Sequence, residues 1–297
     1  MQTQRRLVRM ADGRDIDVLI AGPEGGRPLV VHEGTPAGLV LNARLGKAAV
    51  ERGLRPVLAA RPGYERSTPR PGRRVADVAA DVTAVLDELG AREFVSIGFS
   101  GGGPHSLACA AWLPERCLAA ASVSGVAPFD AAGLDFTAGM GPKNVEEFHL
   151  AARGAAALTP FLEKERAALG QVTGEQVTAA FGGLISGADA AALTGEFADD
   201  LAASLRAAVR EGIDGWLEDD LAFLAHWGFH LRDVGDRGAI WQGDQDNMVP
   251  FAHGQWLAAH TPGARVHLEP DAGHLTMTAT AIDRILDDLL DLADHSS

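Results

Sequence analysis

Short apolar runs alternate with stretches of helical period along most of this chain, and no other feature narrows its fold as much. The runs are residues 28–32, 56–60, 94–97, 118–123, 239–242 and 265–268. Each has the length and composition of a strand covered on both faces. Between them apolar residues recur at helical spacing: Val75, Val78, Val82, Val85, Leu86 and Leu89 share one face before Gly90 ends the run. Helices are also expected over 39–52, from the segment after 104 to about 112, and over 252–260 and 278–292. Strands separated by helices in this way are parallel and joined by crossovers. At the N-terminus, residues 6–10 and 14–21 flank Asp12-Gly13, a dipeptide favoured in type I′ hairpins. The expected fold class is α/β, a mostly parallel eight-stranded sheet flanked by helices.

The alternation breaks between Phe129 and Arg232, where Ala, Leu and Glu dominate and strand signal is scarce. Helices are expected there over 156–169, 188–211 and 215–226, and Asn144 with Glu147 reads as a capping box opening another. This divides the chain into an α/β core, 1–128 and 233–297, and an all-helical insertion, 129–232, after the sixth strand. The acidic runs 196–200 and 218–220 read as a solvated face.

Composition excludes several function classes. The 297 residues are 46% hydrophobic and 22% charged, ordinary for a globular chain. A formal charge of −14 argues against nucleic acid or an anionic membrane as partner, since phosphates need clustered Lys and Arg. Cys109 and Cys117 lie outside any metal-like spacing, so neither a metal nor a cofactor is expected. No signal-type segment and no apolar run near ~20 residues is present, so a cytoplasmic location is the expectation. A small molecule is the expected partner, and the sequence is compatible with a homodimer.

Gly98-Phe99-Ser100-Gly101-Gly102 fits G-x-S-x-G. With 35 glycines in the chain, the bare pattern is weak, and a Gly-rich turn with a bystander serine is the bland alternative. Context makes it specific, because an apolar strand-like run precedes it and a helix follows. A serine hydroxyl thrust out of such a turn has a strained backbone, and side chains two positions away would clash, which glycine avoids. The helix N-terminus then points its free N–H groups and positive dipole end at the reacting centre. A phosphate loop is excluded, since neither Gly-Lys-Ser/Thr nor G-x-G-x-x-G opens the helix.

A serine nucleophile needs a base, usually histidine. Of ten histidines, His274 has the best setting, a turn-rich loop between the last strand and the last helix. Loops at the carboxyl ends of parallel strands are where such sites form. Asp246, just after the strand ending near Gln242, is the expected acid that holds the imidazole. Asp244 competes in the same loop, Asp130 more remotely, and Asp271 reads as a turn residue. His32 and His105 lie near the site, with His105 read as packed rather than catalytic.

These residues together resemble the α/β-hydrolase superfamily, in its serine-nucleophile form with a helical cap after the sixth strand. The resemblance covers nearly the whole chain. It rests on Glu33-Gly34-Thr35-Pro36, Arg61-Pro62-Gly63-Tyr64 with Ser67, Gly98 to Gly102, Gly243 to Asp246 with Val249-Pro250, and Gly273-His274. It implies the chain order Ser100, Asp246, His274 for the triad. It also implies an oxyanion hole from the backbone N–H groups of Thr35 and Gly101, worth about 3 kcal/mol per donor. Relatives usually carry histidine where this chain has Glu33. A carboxylate beside an oxyanion is unfavourable, so its side chain is expected to face away or pair with an arginine. The insertion would cover the triad, with Phe99, Glu33, Trp216 and Trp227 as candidate substrate contacts. The activity implied is hydrolysis of a small, mainly apolar carboxylic ester, lactone or thioester through an acyl-enzyme. An aminopeptidase resembling proline iminopeptidase, needing a cap carboxylate for the substrate amine, is the alternative, and a non-catalytic ligand-binding member of the fold is another.

Overall fold

The two faces of the sheet can be read from the alternation of buried side chains along its strands. A computed structural model describes residues 2–295. The chain opens with β1 (Thr3–Arg9), β2 (Asp15–Ala21) and β3 (Arg27–His32), then α1 (Ala43–Glu51) and β4 (Leu54–Ala59). It continues through α2 (Val78–Glu88), β5 (Phe94–Phe99), α3 (Gly103–Trp112) and β6 (Cys117–Val123). Six helices follow: α4 (Pro142–Ala151), α5 (Ala155–Leu169), α6 (Gly174–Phe181), α7 (Gly187–Ala192), α8 (Gly195–Ala208) and α9 (Asp214–Leu224). The sheet resumes with β7 (Gly238–Gly243), α10 (Phe251–His260) and β8 (Arg265–Glu269), and α11 (His274–His295) closes the fold.

The eight strands form one sheet in the order β1-β2-β4-β3-β5-β6-β7-β8. β2 pairs antiparallel with β1 and β4, and all pairs from β4 through β8 are parallel. Side chains alternate across a strand. Val31, Val95, Ile97, Ala119 and Ala121 therefore pack on one side against Leu45 of α1 and Ile282, Ile285 and Leu289 of α11. Val30, Phe94, Ala120 and Ile240 pack on the other against Val82, Leu86, Leu107 and Leu257 of α2, α3 and α10. Among the described residues no helix is long and apolar enough to cross a membrane.

Several local expectations need correction. The first hairpin is not a two-residue type I′ turn: Met10 N donates to Arg14 O at 2.8 Å around a three-residue loop, with Gly13 at φ +88°. Asn144 does not cap a helix, because α4 starts earlier, at Pro142, after Gly141. The Asn144 side chain instead donates to Met248 O. The single helix expected over 188–211 is two, since the chain turns at Leu193-Thr194-Gly195, where Gly195 has φ +53°. The helix α6 was not expected, although Thr173 and Gln176 form a reciprocal capping box at its start.

Candidate active site

Ser100 leaves the end of β5 at φ +52° and enters a short 3-10 turn, Ser100–Gly102, that leads into α3. Left-handed backbone is costly for a residue with a Cβ. The neighbouring glycines make room for it. A Cβ on Gly98 would overlap the Gly102 carbonyl, and one on Gly102 would overlap the His32 carbonyl of β3. The serine consequently stands at the carboxyl ends of the central parallel strands, bordering a cavity of about 160 Å³.

His274 borders the same cavity. It is the first residue of α11, not the loop residue that the sequence suggests. Its Nδ1 lies 2.8 Å from Asp246 Oδ2, and both side chains are buried. Asp246 is itself fixed: Oδ1 accepts from the N–H groups of Met248 (2.9 Å) and Val249 (2.8 Å), and Oδ2 accepts from Gln242 Nε2 (3.0 Å). With Nδ1–H donating to Asp246, Nε2 is left as the acceptor. Burial alone would lower the pKa of His274, but the Asp246 carboxylate outweighs it and raises the value above 6.5. Asp244 is exposed and takes no part in this contact, while Asp271, at φ +56°, is a turn residue that accepts from Gln245. Burial holds His32 and His105 neutral, and His105 Nδ1 lies 2.9 Å from Gly101 O.

The segment Glu33-Gly34-Thr35 is anchored from behind by Arg61. Its Nη1 donates to Glu33 O (2.6 Å), and its Nη2 donates to Gly34 O (2.7 Å) and Thr35 Oγ1 (3.1 Å). The Thr35 N–H lies trans to the Gly34 carbonyl across one peptide plane, so it points away from Arg61. On the front side, a Cβ on Gly34 would sit 3.5 Å from Ser100 Cβ, and one on Gly101 would overlap Thr35 Oγ1. Thr35 and Gly101 are thus neighbours beside the serine. Among the described residues, neither backbone N–H is taken by a loop or side-chain acceptor.

Arg61 itself is held by Asp219, a residue of α9. The Asp219 carboxylate, fully buried, receives Arg61 Nε and Nη2, Arg73 Nη2, Tyr64 Oη and Thr35 Oγ1 at 2.5–3.0 Å. Burial alone would push this carboxyl up, but the two guanidinium groups hold it well below the usual carboxylate range. The reading of 218–220 as a solvated face is therefore wrong for Asp219 and Asp220, which are both buried. On α9, Trp216, Asp219, Asp220 and Phe223 stand at i, i+3, i+4 and i+7, the spacing of a single buried stripe. That spacing was the available signal.

Glu33 also departs from expectation. The residue borders the cavity and, among the described residues, makes no ion pair with arginine, because Arg61 is occupied by Asp219 and by the main chain of Glu33 itself. Burial raises the Glu33 carboxyl to about 7 despite the nearby Arg61. Phe99 lines the cavity, but Trp216 and Trp227 do not. Trp216 is buried and donates its Nε1 to Glu147 Oε1 at 2.6 Å, and Trp227 is buried against Phe229. The insertion instead contributes Phe181, Phe197, Leu201 and Leu205, together with the half-buried Asp200. No described group of His, Cys, Asp and Glu residues is arranged to hold a metal ion.

Comparison with known proteins agrees with this architecture. A family model described as alpha/beta hydrolase fold matches residues 27–278. The dihydrolipoyllysine-residue acetyltransferase component of the acetoin cleaving system of Cupriavidus necator is 27% identical over 231 residues, 75% of this chain. The match spans 52% of that protein's length, about half. Among solved structures, a hydrolase from Pseudomonas aeruginosa PA01 superposes with a TM-score of 0.66 at 20% identity, covering 97% of this chain and 98% of its own. Naproxen esterase (carboxylesterase NP) from Bacillus subtilis superposes with a TM-score of 0.62 at 16% identity, covering 97% and 92%. At these identities the likeness is one of fold.

Proposed function

This chain belongs to the alpha/beta hydrolase fold family, and on that footing we propose that it is a serine hydrolase of small, mainly apolar carboxylic esters, lactones or thioesters. The observation that carries the reading is the His274–Asp246 contact of 2.8 Å in a ring that shares one cavity with Ser100 at φ +52°. In the proposed reaction Ser100 Oγ attacks the substrate carbonyl while its proton passes to His274 Nε2. The carbonyl oxygen becomes an oxyanion that accepts from the Thr35 and Gly101 N–H groups. The intermediate collapses, the bond to the leaving alcohol or thiol breaks, and His274 returns the proton to it. Water then attacks the acyl-enzyme by the same route and releases the acid and free Ser100. Residues 129–232 act as the cap in this reading. The walls from Phe99, Phe181, Phe197, Leu201 and Leu205 suit a short apolar acyl or alcohol group.

The test is a series of p-nitrophenyl esters, acetate to octanoate, together with a fluorophosphonate probe. Wild-type protein is expected to be labelled once, at Ser100, and Ser100→Ala to lose both labelling and turnover. An unlabelled wild type, or labelling that persists in Ser100→Ala, removes the reading and leaves a non-catalytic binder. One observation favours the aminopeptidase alternative: Asp200 of α8 reaches the cavity wall, where a substrate amine could meet it. Its Oδ2 already accepts from Ala43 N at 2.8 Å, which leaves a single oxygen free and ranks this reading second. Release of nitroaniline from prolyl-nitroanilide in preference to nitrophenol from esters would reverse the order.

A further inference from the structure

The helix that carries His274 has no cap of its own. A helix start leaves its first N–H groups unpaired, and a local Ser, Thr, Asp or Asn side chain usually satisfies them. Here the preceding residue is Gly273, which has no side chain to offer. The acceptor comes instead from the insertion, 85 positions earlier: Asp189 Oδ2 accepts from His274 N at 3.1 Å. Asp189 Oδ1 accepts from Leu275 N (2.8 Å), Thr276 N (2.9 Å) and Thr276 Oγ1 (2.9 Å). The same carboxylate closes the capping box of α7, accepting from Ser186 N at 3.3 Å while Ser186 Oγ accepts from Asp189 N at 3.2 Å. Asp189 is fully buried, and its fit depends on Gly273, where any Cβ would overlap both carboxylate oxygens. A carboxylate this deep, spending both oxygens on five donors, four of them in the first turn of one helix, is placed there for that helix.

We propose that Asp189 is a positioning residue for the base, fixing the main chain of His274 and tying the helical insertion to the first turn of α11. The proposal rests on the serine-hydrolase reading. His274 is then held twice: Asp246 orients the ring through Nδ1, and Asp189 sets where the ring starts from. The charged or titratable groups facing His274 are Asp246 from the loop after β7, Asp189 from α7 and, around the same cavity, Glu33 after β3 and Asp200 of α8. Asp189 also adds its negative charge to that of Asp246 in favouring the imidazolium.

The experiment uses the full chain with p-nitrophenyl butyrate. Fluorophosphonate labelling of the wild type is read first, so a failure of the hydrolase reading is seen before any variant is made. Asp189→Asn keeps one acceptor oxygen and removes the charge. Its kcat is expected to fall about 10- to 100-fold with KM within about twofold, and the acid limb of kcat/KM to move down by about half a pH unit. Wild-type kcat, or a fall in kcat with the acid limb unmoved, overturns the proposal, since a merely structural anchor would not shift the titration of the base. Should Asp189→Asn fail to fold, Thr276→Val removes one of the five bonds and keeps the charge. It is expected to lower kcat several-fold with the acid limb in place, and wild-type kcat in that variant overturns the proposal equally.

Discussion

His274 and Glu33 face one cavity with opposite outcomes from burial. Asp246 supplies a counter-charge at 2.8 Å, so the imidazolium is favoured although the ring is buried. Glu33 has no such partner, since Arg61 is committed to Asp219 and to loop carbonyls, and its carboxyl is pushed up to about 7. Below that value a neutral carboxyl stands next to the oxyanion loop, and above it a negative charge does. The rate is therefore expected to rise as His274 loses its proton and to sag again as Glu33 ionises. Glu33→Gln should abolish the second effect, leaving kcat/KM at pH 9 about tenfold above wild type while the values at pH 6 stay close. Superimposable pH profiles would place the Glu33 charge too far from the reacting carbonyl to matter. Much of this scale was legible in the sequence. The glycines at 98 and 102 announce a serine in a forbidden backbone region because sterics leave no other residue there. The state of Glu33 was not legible, since it depends on what an arginine 28 positions away does with a carboxylate 158 positions further on.

At the scale of elements, α9 holds the Glu33-Gly34-Thr35 loop from behind without lining the cavity. Asp219 binds Arg61, Arg73, Tyr64 and Thr35, which come from the loops after β3 and β4 and from the approach to α2. Removing its charge leaves two guanidinium groups buried without an anion, a change that typically costs about 3–5 kcal/mol. Asp219→Asn is expected to lose stability on that order in urea unfolding, and to lower kcat at least tenfold as the Thr35 N–H loses its support. A variant of wild-type stability would mean that solvent reaches the arginines and that the network is not a single buried unit. Strand-helix alternation was visible in the sequence because the short continuous apolar runs of β3 to β6, buried on both faces, separate cleanly from the 3.6-residue period of α2. The insertion was harder to parse. Its Ala-rich stretches suit a helix almost anywhere, and the break at Leu193-Thr194-Gly195 follows from docking α7 onto α11 through Asp189, a tertiary event.

Across the whole molecule, buried ionisable groups pull stability in opposite directions with pH. Burial lowers the pKa of His32, His105 and His253, so their contribution is present above the ordinary histidine value and fades as pH falls through the depressed ones. Glu147 of α4 and Asp220 of α9 do the reverse. Burial raises both, Glu147 raises Asp220 further through its charge, and Glu147 itself is drawn part of the way back by its hydrogen-bond partners, among them Trp216 Nε1 at 2.6 Å. Their contribution is complete below the usual carboxylate range and is lost as pH climbs through the raised values, near neutrality for Glu147. A formal charge of −14 adds self-repulsion on the same alkaline side. Stability should accordingly peak on the acid side of neutrality, while turnover is bounded by the loss of the His274 proton on one side and by the ionisation of Glu33 on the other. Glu147→Gln keeps the acceptor for Trp216 and cannot ionise. Urea unfolding at pH 5, 6.5 and 8 is expected to show it gaining on wild type as pH rises, by about 2 kcal/mol at pH 8 and little at pH 5. A gain that is equal at pH 5 and 8 would mean that burial does not hold the Glu147 carboxyl neutral in the folded protein. The alkaline loss of stability would then belong to the surface charge alone.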